Sequence, residues 1–129
     1  MNQTNPNPNK YQKEIQTKLT KSLLDMIVLQ LINQEPMHGY QIITKTRKTF
    51  GTYFGPSTIY PLLTSLEKKG YLNSLWNMNA DKPRKVFTIT SAGRAVLKFT
   101  EHSLNILCKT IQSAESPLKT ALTLTPTTH

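Results

Sequence analysis

Apolar residues recur along the chain with two different periods, and the change of period divides it into elements. Leu24, Ile27, Val28 and Leu31 follow the i, i+3, i+4, i+7 spacing of one helix face. Leu23, Met26, Leu29 and Ile32 widen that face towards the full circumference. The pattern predicts a first helix over Leu19–Asn33, apolar on most sides and therefore central to the core. Pro36 stops it, because the residue before a proline is driven out of helical backbone. A second helix runs from His38 to Phe50, with Tyr40, Ile43, Arg47 and Phe50 near one face and Gly51 suited to a left-handed terminus. A third starts near Ser57, whose hydroxyl is a good N-cap, with Pro61 at the edge of the zone where proline is tolerated. Its stripe is Ile59, Leu62, Leu63 and Leu66, and Gly70 ends it.

After Gly70 the character becomes that of strands. Tyr71–Trp76 and Arg84–Thr90 are rich in aromatic and β-branched residues. The polar loop between them, Asn77 to Pro83, is longer than a tight hairpin needs. Thr90 or Ser91 then caps a last, long helix reaching about Ser113. It carries two apolar stripes: Val96, Phe99 and Ile106, and Leu97, Leu104, Leu107 and Ile111. One stripe can face its own domain; the other has no cover in the chain, which points to a second copy related by a two-fold axis.

The predicted fold is mainly α with a two-stranded β-wing: a winged helix-turn-helix plus a long C-terminal dimerisation helix. Residues 1–17 are expected to form a flexible N-terminal arm, 18–90 the winged helix-turn-helix domain, 91–115 the dimerisation helix and 116–129 a disordered, Thr-rich tail.

Charge adds a partner to this outline. Lys and Arg number 16 against 7 Asp and Glu, an excess that favours a polyanion: nucleic acid, or an anionic membrane surface. The excess is clustered. Lys45, Arg47, Lys48, Lys68, Lys69, Lys82, Arg84 and Lys85 are opposed over that stretch only by Glu67 and Asp81. The single Cys108 excludes an intrachain disulfide and suits a reducing interior. The Asn- and Pro-rich start has no apolar core of a secretory signal, and no apolar run is long enough for a membrane span. A soluble, cytoplasmic protein is expected, with no cofactor.

In a winged helix-turn-helix the second helix of the turn lies in the major groove with its N-terminal residues towards the bases. That rule brings Ser57, Thr58, Tyr60 and Pro61 nearest to double-stranded DNA, with Thr64 and Lys68 further along the same exposed face. Lys82, Arg84 and Lys85 at the wing suit phosphate contact. Tyr40 joins them because tyrosine combines an apolar body with a polar tip. The third helix lacks Arg, Asn and Gln, the residues best suited to bidentate base contacts, so shape readout or the wing gains importance. The dimer contacts are expected at Leu97, Leu104, Leu107 and Ile111.

Three motifs also resemble the PadR family of bacterial and archaeal regulators, over about residues 19–100. Pro36-Met37-His38-Gly39-Tyr40-Gln41-Ile42 is similar to the family's Pro-x-His-Gly-Tyr-Glu-Ile. Ser57-Thr58-Ile59-Tyr60-Pro61-Leu62-Leu63 through Leu66-Glu67 and Gly70-Tyr71-Leu72 follows its Gly-Thr-Leu-Tyr-Pro-x-Leu-x-x-Leu-Glu-x-x-Gly-Leu-Leu. Arg84-Lys85-Val86-Phe87-Thr88-Ile89-Thr90 and Gly93 resemble Arg-Lys-Tyr-Tyr-x-Leu-Thr-x-x-Gly. Ser57, Gln41 and Val86 depart from the usual glycine, acidic residue and aromatic. The resemblance implies a homodimeric operator-binding protein, commonly a repressor. In many members a small aromatic or other hydrophobic effector releases the DNA. It also implies DNA contacts at Tyr40, at the start of the third helix and at the wing. Some members sandwich flat drugs with a tryptophan in the last helix, and here that helix has none.

Plainer roles stand beside these. His38 reads as a residue with local hydrogen bonds at the start of a helix, Trp76 as wing packing, Cys108 as dimer packing, and Lys68 and Lys69 as partners of the helix dipole. No metal-ligand spacing, nucleophile elbow or phosphate loop is present, so an enzyme is not expected. The alternatives to sequence-specific DNA binding are a winged-helix protein-interaction module and a non-specific DNA-binding protein. RNA binding would require stacking aromatics on a sheet, of which the wing offers few.

Overall fold

The computed structural model describes residues 8–79 and 81–114. The expected tail over 116–129 and the first seven residues of the expected arm lie outside the described residues. Within them the order is α1 (Pro8–Ser22), α2 (Leu24–Gln34), β1 (Met37–His38), α3 (Gly39–Phe50), α4 (Pro56–Lys68), β2 (Leu72–Asn77), β3 (Arg84–Ile89) and α5 (Ser91–Ser113). This is a winged helix-turn-helix with α3 and α4 as the helical pair and β2–β3 as the wing. One compact unit ends at Leu97 and a second begins at Lys98.

The core of the first unit is built from the apolar stripes. Leu24, Val28 and Leu31 of α2 are buried, and so are Leu29 and Ile32 on its flank, as a helix apolar on most sides requires. Ile42 and Ile43 of α3, Ile59, Leu63 and Leu66 of α4, and Leu72, Phe87 and Leu97 close the same cluster. The wing is buried at its base, where Leu72 and Phe87 sit, and exposed from Leu75 to its tip.

Three expectations are corrected. First, a single helix over Leu19–Asn33 is replaced by α1 and α2, and residues 8–17 are helical instead of belonging to an arm. The break falls at Leu23 (φ −105°, ψ 14°). Just before it, the Thr20 hydroxyl donates to Gln16 O at 2.6 Å and the Ser22 hydroxyl to Leu19 O at 2.9 Å. Such back-bonding competes with the helical ladder and bends it. The apolar residues of α1, Tyr11, Ile15 and Leu19, recur at four-residue spacing on one face, which remains exposed.

Second, the sheet has three strands in the order β1-β3-β2. β1 pairs antiparallel with β3, Met37 opposite Phe87 and His38 opposite Val86. Two residues are too few to display an alternation, so nothing in the sequence marked them. Third, Gly55, not Ser57, caps α4; Pro56 occupies its first turn, and no side chain bonds to the free amides there. Proline at that position gives up an amide the helix could not have used.

Thr90 sets the start of α5. Its hydroxyl accepts from Gly93 N–H at 3.0 Å and donates to Gly70 O at 2.7 Å, while its own N–H donates to Tyr71 O at 3.1 Å. A Cβ on Gly93 would stand 2.2 Å from Tyr71 O, so glycine is required where α5 meets the chain leading into β2.

Two substitutions test this packing. Gly93→Ala should destabilise the protein by about 2 kcal/mol, the usual cost of forcing an atom into a filled site. Thr46 of α3 is fully buried with a hydroxyl that has no partner among the described residues, so Thr46→Val should stabilise by about 1 kcal/mol. Urea unfolding midpoints read both; a Gly93→Ala midpoint equal to wild type would refute the first.

Candidate nucleic-acid interface

The site begins at the first turn of α3. His38 is its N-cap in extended backbone (φ −95°, ψ 165°). The Gln41 N–H donates to His38 Nδ1 at 3.4 Å and the His38 N–H donates to Gln41 Oε1 at 3.0 Å. This reciprocal pair satisfies two amides that a helix start otherwise leaves open. Glycine follows at the next position, where a Cβ on Gly39 would lie 2.4 Å from the Tyr60 ring and displace it. The ring of Tyr60, carried by α4, therefore rests on the backbone of α3.

The wing supplies the opposite wall. His38, Gly39 and Tyr40, Tyr60 and Thr64 of α4, Trp76 of β2, and Lys82, Pro83, Arg84, Lys85 and Phe87 line one open cleft. It brings together six of the ten expected DNA-contacting residues: Tyr40, Tyr60, Thr64, Lys82, Arg84 and Lys85. Ser57, Thr58 and Pro61 are exposed on the early turns of α4 and Lys68 on its last turn, but none of the four lines the cleft.

The cations at the wing are not equivalent. Lys85 Nζ lies 3.3 Å from Glu67 Oε1 and 5.7 Å from the centre of the Phe87 ring. Glu67 also accepts a short hydrogen bond from the Ser74 hydroxyl. That bond, aided by Lys85, holds the Glu67 carboxyl below the ordinary carboxylate range. Lys85 thus ties β3 to α4, whereas Lys82 and Arg84 are exposed. Arg84 Nη1 lies 3.2 Å from His38 Nε2. Burial, and then the positive charge of Arg84, lower the His38 pKa.

Sequence reasoning missed two residues here. His38 makes the local hydrogen bonds expected of it but also faces Arg84 across the cleft. Trp76, expected to pack within the wing, is exposed and forms part of the cleft wall. The register places it opposite Lys85, a relation that appears only once the hairpin is closed.

Of the four expected dimer contacts, Leu97 is enclosed within its own chain at 4% exposure and belongs to the core. This removes it from the free surface. In the second unit Phe99, Ile106, Leu107 and Ile111 are exposed, Leu104 is half-buried and Cys108 is exposed. Among the described residues, no group of three or more His, Cys, Asp or Glu could hold a metal ion, and no helix is long and apolar enough to cross a membrane.

Comparison with known proteins bears on the fold and the family. Over 79 residues the chain is 33% identical to a 37.1 kDa protein of transposon TN4556 from Streptomyces fradiae; the match covers 61% of this chain and only 22% of that protein. A PadR family transcriptional regulator from Eggerthella lenta superposes with a TM-score of 0.73 at 29% identity, over 84% of this chain and 96% of that one. A PadR-like transcription factor from Bacteroides fragilis superposes with a TM-score of 0.65 at 27% identity, over 77% and 96%. The family described as "Transcriptional regulator PadR-like family" matches residues 28–99, which run from the middle of α2 into α5. With the winged helix and the three motifs in register, the chain belongs to the PadR-like family of transcriptional regulators.

Proposed function

We infer that the protein is a cytoplasmic, homodimeric repressor that binds a specific double-stranded operator through this cleft. The observation that carries the reading is the convergence of Tyr40, Tyr60, Lys82 and Arg84 on one open surface beside the exposed first turns of α4. In this reading Ser57, Thr58 and Pro61 enter the major groove while the wing follows the phosphate backbone. Because α4 carries no Arg, Asn or Gln, groove shape and the wing supply much of the discrimination. The exposed apolar residues of α5, together with Tyr11, Ile15 and Leu19 of α1, support a second copy as the partner. Release by a small hydrophobic effector is carried over from the family.

The deciding experiment measures binding to the protein's own upstream DNA and to a scrambled duplex at two salt concentrations. Preference for the first that persists at the higher salt supports a specific regulator. Equal, salt-sensitive binding to both favours the non-specific alternative. No binding to either favours a protein-interaction module.

Three sets of variants refine this. Lys82→Ala with Arg84→Ala should flatten the salt dependence by about 0.9 per lost phosphate contact, while Lys85→Ala, already paired with Glu67, should leave the slope unchanged. Tyr60→Ala should weaken operator binding by about 1 kcal/mol, the worth of one hydrogen bond; Gly39→Ala, which displaces the Tyr60 ring, should weaken it in the same direction. Leu104→Glu with Leu107→Glu should yield monomers in sedimentation, and a surviving dimer would remove α5 as the interface.

A further inference from the structure

His38 and Arg84 meet in a way that neither neutral tautomer of the histidine satisfies. A guanidinium only donates, and a neutral imidazole accepts at one nitrogen and donates at the other. With the proton on Nε2, His38 Nδ1 accepts from Gln41 N–H at 3.4 Å but Nε2–H faces Arg84 Nη1, donor against donor, at 3.2 Å. Moving the proton to Nδ1 lets Nε2 accept from Arg84 but sets Nδ1–H against the Gln41 N–H. An anionic oxygen seated between Nε2 and the guanidinium accepts from both and removes the conflict.

The surroundings suit an anion. Arg84 and Lys85 of β3, Lys82 of the wing loop, Tyr40 of α3, and Tyr60 and Thr64 of α4 line the same cleft. Among the described residues no carboxylate lines it. Glu67 is occupied by Lys85 and Ser74, and Asp81, next to Lys82 in the chain, does not reach the cleft wall.

The geometry points to a proton-linked phosphate clamp: one backbone phosphate of bound DNA is held between His38 Nε2 and the Arg84 guanidinium, and His38 takes up a proton as the complex forms. This rests on the DNA-binding reading above and adds to it a contact whose strength depends on pH. In the free protein, burial and then Arg84 lower the His38 pKa and so favour the neutral imidazole. A phosphodiester beside it offsets the repulsion from Arg84 and favours the imidazolium. The protonation that follows costs the long 3.4 Å bond to Gln41. The sign follows from linkage: the His38 pKa is higher in the complex than in the free protein. The gain in affinity is therefore absent well above the bound value. It grows as pH falls through that value, and is complete below the free one.

The test measures fluorescence anisotropy of a fluorescein-labelled duplex of about 30 bp, roughly three helical turns, with the full chain at constant ionic strength. Between about pH 8 and about pH 5.5, the window in which histidine titrates, the wild-type Kd should fall about fivefold, given that one pKa unit corresponds to tenfold. His38→Asn keeps a side-chain oxygen able to cap α3 but lacks the imidazole, and should bind with no pH dependence over that range. His102→Asn, on α5, should keep the wild-type dependence. A wild-type affinity that does not change with pH overturns the clamp, as does a His38→Asn variant that retains the full dependence. Absence of wild-type binding at every pH overturns the DNA-binding reading itself, and the clamp with it.

Discussion

The pairing of Met37 and His38 with Phe87 and Val86 holds the functional surface together. Met37 and Phe87 are both buried, so this short ladder is anchored by core packing as well as by its hydrogen bonds. It binds the base of the wing to the first residue before α3. His38 is thereby both the last residue of a strand and the cap of a helix. Without the pairing, the wing would be held to the domain only through Leu72 and Phe87 in the core and the contacts of Ser74 and Lys85 with Glu67. With it, Arg84 stands across from the start of α3, its Nη1 3.2 Å from His38 Nε2.

A second constraint acts at Gly39. The missing Cβ lets the Tyr60 ring lie against the α3 backbone, so the face of α4 that is free for a partner is set by a contact with the preceding helix. The wing's charges divide their work in the same economical manner. Lys85 is drawn inwards by Glu67 and stacks over Phe87, joining β3 to α4, and Lys82 and Arg84 remain outward. A count of basic residues treats the three alike; the alternation of side chains along β3 separates Arg84 from Lys85, and Lys82 lies in the loop before that strand.

Most of the fold was legible because helices α2 to α4 bury continuous stripes. Val28, Ile42, Ile59 and Leu63 each lie at helical spacing from other buried residues, and every one is fully buried. What escaped detection buries no such stripe. The Tyr11, Ile15 and Leu19 face of α1 is exposed, and β1 is shorter than one alternation. Leu97 is an instructive error: it shares a helical face with Leu104, Leu107 and Ile111, but it belongs to the core of the first unit while the other three lie in the second. Periodicity identifies a face, not how far along the helix that face is covered.

By itself the sequence determined the helical order, the wing, the basic character of the α4 and wing region, and the motifs that mark the family. All of these depend on residues near one another in the chain, where spacing alone sets which side chains share a face. The tertiary structure decided which of the candidate residues meet. The approach of His38 to Arg84, the inward pairing of Lys85, and the place of Trp76 in the cleft wall all arise across long stretches of chain. Such contacts are set by strand register and by the packing of α4 on α3, and neither leaves a periodic trace in the sequence.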